Sequence, residues 1–367
     1  MFTSEGKAGA AATNKTPNAS QMERFILNTT KGLAEISPYE DKHVSFVHDT
    51  VTQYLQNDGI GRLDSSKIDN PVGLSHELLK TNCLEYILLA GQILPELLAS
   101  KPDYEHQRIQ CATFPLLSYM LSGVVSHAEL AQAHGVSQNS FVKDFPLDLV
   151  LSLWDNAYQL DLKWGAYTPT ATKTYMFALS GAPNLLHLEL EGIKSRRRSR
   201  PRLSLATDPD NLAHSSDQGK WGHPLHAALS IQHFECVRLL LEHGFDPNAH
   251  GVDSTTLQTA ITYSWNDMSI IRLLLDHGAD PNGRTNPGKE YESTVLHAAI
   301  DDGKVEAVRV LVEYGADIHV KRADGLTALQ HAMEGCPNRQ PMVAYLFERE
   351  LQDADSAASS PWYIVDE

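Results

Sequence analysis

The sequence predicts an all-α chain whose C-terminal half is a stack of short helical repeats. One phrase recurs there, as Leu-Leu-Leu-Glu-His-Gly-Phe-Asp-Pro-Asn at 239–248, Leu-Leu-Leu-Asp-His-Gly-Ala-Asp-Pro-Asn at 273–282 and Val-Leu-Val-Glu-Tyr-Gly-Ala-Asp-Ile-His at 310–319. Its glycines, Gly244, Gly278 and Gly315, are 34 and 37 residues apart, a period that belongs to stacked repeats, which present a surface rather than run chemistry. The N-terminal half reads at helical spacing throughout, with His43-Val-Ser-Phe-Val as its one short alternating strand.

Taken in order, residues 1–20 are small and polar and predict disorder. Residues 21–165 predict a helical region. Phe25, Ile26, Thr29, Leu33 and Ile36 share a helical face, and Pro38 closes it. A second helix is expected from Asp49 to Gln56, and a polar loop over 57–73. Ser75 is the expected N-cap of a helix with Leu78, Leu79, Cys83, Tyr86 and Ile87 inward. Further helices are expected over 113–133 and 137–160, the second broken by Pro146.

Residues 172–193 look like a degenerate helix pair capping the stack, and 194–219 a basic linker. Four regular repeats follow over 221–350, and 351–367 predict a flexible tail.

Composition bounds the function classes. The 367 residues are 42% hydrophobic with a net charge of −16, which disfavours attraction to nucleic acid phosphates or an anionic membrane. Cys83, Cys111, Cys236 and Cys336 form no Cys-x-x-Cys pair, so reduced thiols in an intracellular compartment, nucleus or cytoplasm, are expected. The N-terminus has no apolar signal region, and Glu85, Gln92, Pro95 and Glu96 interrupt the most apolar stretch, so no membrane segment is expected. No phosphate-binding, hydrolase or zinc motif is present, and neither enzymatic activity nor a cofactor or metal is expected.

The repeats open His223-Pro-Leu-His-Ala-Ala, Thr255-Thr-Leu-Gln-Thr-Ala, Thr294-Val-Leu-His-Ala-Ala and Thr327-Ala-Leu-Gln-His-Ala. Opening and closing phrases together resemble the ankyrin repeat over about 130 residues. The resemblance implies that Leu225, Leu257, Leu296 and Leu329 stack between repeats. It also implies that His226 and His297 bond to the backbone of adjacent turns rather than to a metal or substrate. Gly244, Gly278 and Gly315 suit a left-handed position just past each second helix, and His243 and His277 suit that helix's C-terminal dipole. Residues 283–293 lengthen one turn. The fourth repeat ends Phe347-Glu-Arg-Glu, as a capping repeat with a polar outer side would.

Phe46-Val-His-Asp-Thr-Val-Thr-Gln-Tyr-Leu, Ser75-His-Glu-Leu-Leu-Lys-Thr-Asn-Cys and Phe114-Pro-Leu-Leu-Ser-Tyr to His127-Ala-Glu are similar to fungal NACHT–ankyrin, NLR-like proteins. Gly123-Val-Val departs from that pattern. The resemblance implies a winged-helix region in which His48 touches ADP phosphates, a role needing an ATPase core for which this sequence has no motif. Lys194, Arg196, Arg197, Arg198, Ser199, Arg200 and Arg202 form a basic segment that suits nuclear import, a phosphate contact, kinase recognition at Ser199 or a solvated loop.

The leading expectation is a non-catalytic regulatory adaptor. It would bind partner proteins through its repeats, a transcription factor among them, without reading DNA bases itself. The alternative is a partial NLR-like immunity or incompatibility protein whose ATPase lies elsewhere.

Overall fold

The computed structural model describes residues 34–36, 44–46, 70–99, 106, 109–110, 113–114, 116–158, 171–199, 222–249, 251, 254–263, 267–285, 293–335 and 339–358. The chain separates into two compact units, Met1–Pro71 and Val72–Glu367. In the first, strands β1 (Ala34–Ile36) and β2 (Val44–Phe46) pair antiparallel, Ala34 opposite Phe46 and Ile36 opposite Val44. The alternation at His43–Val47 anticipated β2. The helix expected to include Ile36 does not extend there, because cross-strand pairing overrides the local helical spacing. Val51, Tyr54, Leu55 and His48 lie outside the described residues.

The second unit is helical. It begins with α1 (Pro71–Leu98), α2 (Leu117–Ala133), α3 (Asn139–Asp144) and α4 (Leu147–Tyr158). The expected cap at Ser75 is wrong, since α1 begins at Pro71, whose fixed φ suits the first helical position and whose missing N–H costs nothing there. Phe145-Pro146 does separate α3 from α4, the residue before a proline being driven to extended backbone, here at φ −60° and ψ 124°. Cys83, Ile87 and Leu94 of α1, Leu121 and Val124 of α2, and Val150 and Leu153 of α4 are all buried. They join one core with the repeats, and α2 and α3 pack directly on the helix at Pro183–Ser199. The four helices thus extend the stack, and a winged helix is not shown among the described residues.

Five helix pairs follow. They are α5 (Lys173–Leu179) with α6 (Pro183–Ser199), α7 (Pro224–Ser230) with α8 (Phe234–Glu242), and α9 (Thr256–Tyr263) with α10 (Met268–Asp276). The last two are α11 (Val295–Asp301) with α12 (Val305–Glu313), and α13 (Ala328–Gly335) with α14 (Arg339–Ala358). First helices stack as α5–α7–α9–α11–α13, second helices as α6–α8–α10–α12–α14. Between α10 and α11 the strands β3 (Arg284–Thr285) and β4 (Ser293–Thr294) form a small antiparallel ladder on the lengthened turn.

Two expected boundaries move. Lys194–Ser199 belongs to α6 and is not linker, and α14 carries 351–358 into a 20-residue helix where a flexible tail was expected. In both places a helix already anchored by buried residues, Leu190 and Ile193 in α6 or Met342 and Leu346 in α14, propagates into a polar sequence. Adding a residue to an existing helix is far cheaper than starting one.

The corner between the two helices of a pair needs positive φ. Gly181 (63°) and Gly303 (66°) supply it, whereas the matching residue of the α7–α8 pair is Gln232 at 61°. A left-handed non-glycine residue costs about 1–2 kcal/mol. Gln232→Gly is therefore expected to raise stability by up to about 1 kcal/mol after its own entropic cost, read as a higher urea midpoint. A lower midpoint would mean that the Gln232 side chain holds the corner.

Candidate protein-interaction surface

Each repeat starts with a side chain that caps its first helix. Thr172 accepts from the Tyr175 amide at 3.3 Å, Thr255 from Gln258 at 3.2 Å, Thr294 from His297 at 3.4 Å and Thr327 from Gln330 at 3.4 Å. Gln330 returns the contact, its Oε1 accepting from the Thr327 amide at 3.0 Å, a reciprocal capping box. In the α7 repeat His223 takes this place, its Nδ1 accepting from the Leu225 amide at 3.4 Å. Pro224 then occupies the first helical turn.

The predicted stacking leucines sit as follows. Leu225, Leu257 and Leu296 are buried, whereas Leu329 of the last repeat is only partly so. His226 joins two repeats. Its Nε2–H donates to the Ala249 carbonyl at 2.9 Å, so a neutral ring must accept at Nδ1, from the Thr259 hydroxyl at 2.9 Å. Gly251 is pressed against this ring, and a Cβ there would stand 2.7 Å from Nδ1. His297 shares Nδ1 with the Thr294 hydroxyl at 2.8 Å and lies against the Leu326 backbone of the next repeat.

His243 and His277 donate from Nδ1 to the carbonyls of Leu239 and Leu273, at 2.8 and 2.9 Å, closing their own helix ends. Gly244, Gly278 and Gly315 follow at φ 82°, 90° and 91°.

The Asp-Pro-Asn triplet has a role that sequence reasoning did not assign. Asn248 donates to the Gly278 carbonyl at 2.9 Å and accepts from the Asp280 amide at 2.7 Å. Asn282 does the same to Gly315 at 3.2 Å and Asp317 at 2.8 Å. Each asparagine thus fastens its turn to the next one. Within each turn an aspartate, Asp246, Asp280 or Asp317, accepts from the amide two residues on, at 2.8 Å. The ladder ends where the third copy reads Asp317-Ile-His, and the fourth repeat has no Gly-Ala-Asp to receive it. That coincidence in the sequence was the available signal.

Electrostatics agree with a structural role for the buried histidines. Burial, with His226 nearby and Asp246 opposing, pushes His223 down to about 4. Burial and the neighbouring His331 push His297 down to about 4. The Cys236 thiol is pushed up to about 12 by burial and the nearby Glu129 and Glu235, which makes it inert as a nucleophile.

Along the turns a cleft of about 340 Å³ opens between the α7–α8 and α9–α10 repeats, lined among others by Pro247, Asn248, Thr255, Asp280, Gly283 and Arg284. Arg284, Asp317, His319, Lys321 and Asp324 on the turn side are exposed. The basic segment is elsewhere, on the last turn of α6. There Lys194 pairs with Glu191 at 3.1 Å and Arg196 with Glu189 at 3.3 Å. Arg197, Arg198 and Ser199 are helical, and Arg200 and Arg202 lie outside the described residues. Among the described residues no three metal-binding side chains converge, and no helix is long and apolar enough to cross a membrane.

Family models for ankyrin repeats match twice, one built on three copies over residues 203–285 and one on many copies over 274–332. The C-terminal half is an ankyrin array. Over 63 residues, 17% of this chain and 54% of the relative, it is 38% identical to the Notch-regulated ankyrin repeat-containing protein of Xenopus tropicalis. It is 41% identical over 56 residues to the human protein of that name, covering 15% of this chain and 47% of the relative. With ankyrin repeat and SOCS box protein 11 of Mus musculus it shares 29% identity over 123 residues, 33% of this chain and 36% of the relative. The chain spans about half the length, or less, of these relatives. Outside the array, the NLR-like resemblance finds no support in these comparisons.

Two outcomes follow from the joints. Asn248→Ala removes two turn-to-turn hydrogen bonds and is expected to cost about 1–3 kcal/mol by chemical denaturation. The second concerns acid. The unfolded state binds protons at His223 and His297 near 6.5, the folded state only near 4. Stability is therefore complete above about pH 6.5 and falls as pH drops towards 4, by at most about 1.4 kcal/mol per pH unit for each histidine. His223→Thr, keeping a capping hydroxyl, is expected to flatten that fall in urea titrations at pH 7, 6 and 5.

Proposed function

We propose that this chain is a non-catalytic adaptor whose ankyrin turns and adjoining first helices hold a partner protein. One observation carries the reading. The polar side chains that would suggest chemistry, His226, Thr259, Asn248 and Asn282, are engaged in joining one repeat to the next. What remains for recognition is the exposed turn face, with its cleft at Asp280 and Arg284. A mixed-charge open cleft suits a peptide segment or protein surface better than a small substrate, which needs enclosure.

The finer proposal places this adaptor in the nucleus with a transcription factor as partner. Its support is the cationic last turn of α6 in a chain of net charge −16. Competition from a partial NLR-like switch rests on the phrase around Val47-His48-Asp49, outside the described residues. Tight ADP binding by the purified chain would favour that switch.

For the adaptor itself, Arg284→Glu with Lys321→Glu is expected to abolish recovery of the captured partner while leaving the circular dichroism unchanged. Arg238→Glu, on the second-helix side, is expected to leave recovery intact. Loss with both, or with neither, sinks the turn-face assignment. For the location, Arg196–Arg198→Ala is expected to shift a tagged protein out of the nucleus, and an unchanged distribution argues against import through this segment.

A further inference from the structure

His226 and His243 spend both ring nitrogens on a repeat joint and a helix end, and the His331 ring faces Asp301 and Arg322. Away from the array one histidine pair is placed differently. His76 on α1 and His127 on α2 are 51 residues apart in sequence, yet their Nδ1 atoms stand 3.1 Å from each other. The rings lie 5.3 Å apart between centroids at an angle of 27°, and both are partly exposed.

The surroundings fix this approach. The neighbouring Glu77 carboxylate is occupied, its Oε1 accepting from Lys80 Nζ and its Oε2 from Gln138 Nε2, both at 2.6 Å. Lys80 also donates to Gln138 Oε1 at 2.9 Å, which ties α1 to the segment just beyond α2. Gly123 of α2 lies so near α1 that a Cβ there would stand 3.7 Å from Cys83 Sγ and 3.7 Å from His127 Cδ2. On the far side of His127, the Tyr119 hydroxyl is 3.2 Å from Nε2. With Nε2–H donated to that hydroxyl, the His127 lone pair is on Nδ1, the side of His76.

We propose that His76 and His127 are the two protein ligands of an exchangeable divalent ion of the zinc, nickel or copper class, bound through both Nδ1 atoms. The spacing carries the assignment. Two nitrogens about 2.0–2.1 Å from such an ion stand about 3.3–3.4 Å apart at a tetrahedral angle and about 2.9 Å apart at a right angle. The observed 3.1 Å lies between these. The ion sits beside the line joining the nitrogens, reached by small rotations of the two partly exposed rings. An outer hydrogen-bond partner such as Tyr119 is what orients a metal-bound imidazole.

Imidazole favours zinc, copper and nickel over magnesium and calcium. His134 stacks beyond His76 at 6.5 Å between centroids, without completing a set of three among the described residues. Water therefore fills the remaining positions, and the ion exchanges where a closed four-ligand structural site would hold it. Bound there, it pins α1 to α2, the helix that packs on α6 at the start of the array. The competing reading is a plain hydrogen bond from one imidazole to the other.

The test uses the full chain without an affinity tag, stripped with a chelator and titrated calorimetrically with zinc chloride. One zinc per chain is expected at the tightest site, and magnesium chloride is expected to give no binding heat. His76→Gln and His127→Gln, each with unchanged circular dichroism, are expected to weaken zinc binding by at least about tenfold. In the unaltered chain, zinc is expected to protect His76 and His127 from carbethoxylation, read by peptide mass spectrometry. It is also expected to raise the urea midpoint, since it binds only the folded pair. Absence of zinc uptake overturns the proposal and leaves the pair a hydrogen bond. Equal uptake by both variants, or protection confined to other histidines, does the same.

Discussion

A helix pair of seven and nine residues cannot hide both of its apolar faces, and the arrangement of this protein follows from that shortfall. Leu225, Leu257 and Leu296 are buried only because another pair lies beyond each of them. The apolar contact is not directional, so something else must set the register of one pair on the next. His226, Asn248 and Asn282 do this with hydrogen bonds that cross from turn to turn. The burial supplies the driving force, and the polar bridges select a single stacking geometry.

The same economy separates structure from recognition. A histidine pushed down to about 4 is a poor general base at neutral pH, and a buried thiol pushed up to about 12 is a poor nucleophile. The polar groups most suggestive of chemistry are spent on the joints. The surface left over is the exposed turn edge, whose loops are held at their bases by helix caps and the asparagine ladder. The lengthened turn carrying β3 and β4 departs from and returns to positions fixed by Gly283 and Thr294.

Both ends of the stack show how a repeat array meets its boundary. At the start, α5 and α6 fill the place of a repeat without its usual sequence. Tyr175 and Phe177 are buried in α5, and α2 and α3 cover α6 from outside. At the finish, α14 runs on well past the nine residues of α8, α10 and α12 and leaves Phe347 and Leu351 about half exposed. A solenoid of identical joints needs unlike ends, and here one is a helical extension while the other leaves apolar side chains half exposed.

Read alone, the sequence determined the repeat period, the left-handed glycines and the stacking leucines. Each is a local requirement that recurs and so reinforces itself with every copy. The break at Pro146 and the strand at Val44–Phe46 were legible for the same reason, proline sterics and side-chain alternation being short-range. Only the tertiary structure decided that Ala34–Ile36 pairs as a strand, that α1 starts at Pro71, and that Lys194–Ser199 and residues 351–358 continue helices. It also decided that the helices before the repeats join the repeats' core. Those outcomes depend on what lies against a segment rather than on the segment itself, because burial and cross-chain hydrogen bonds outweigh the few tenths of a kcal/mol, roughly, by which local propensities differ.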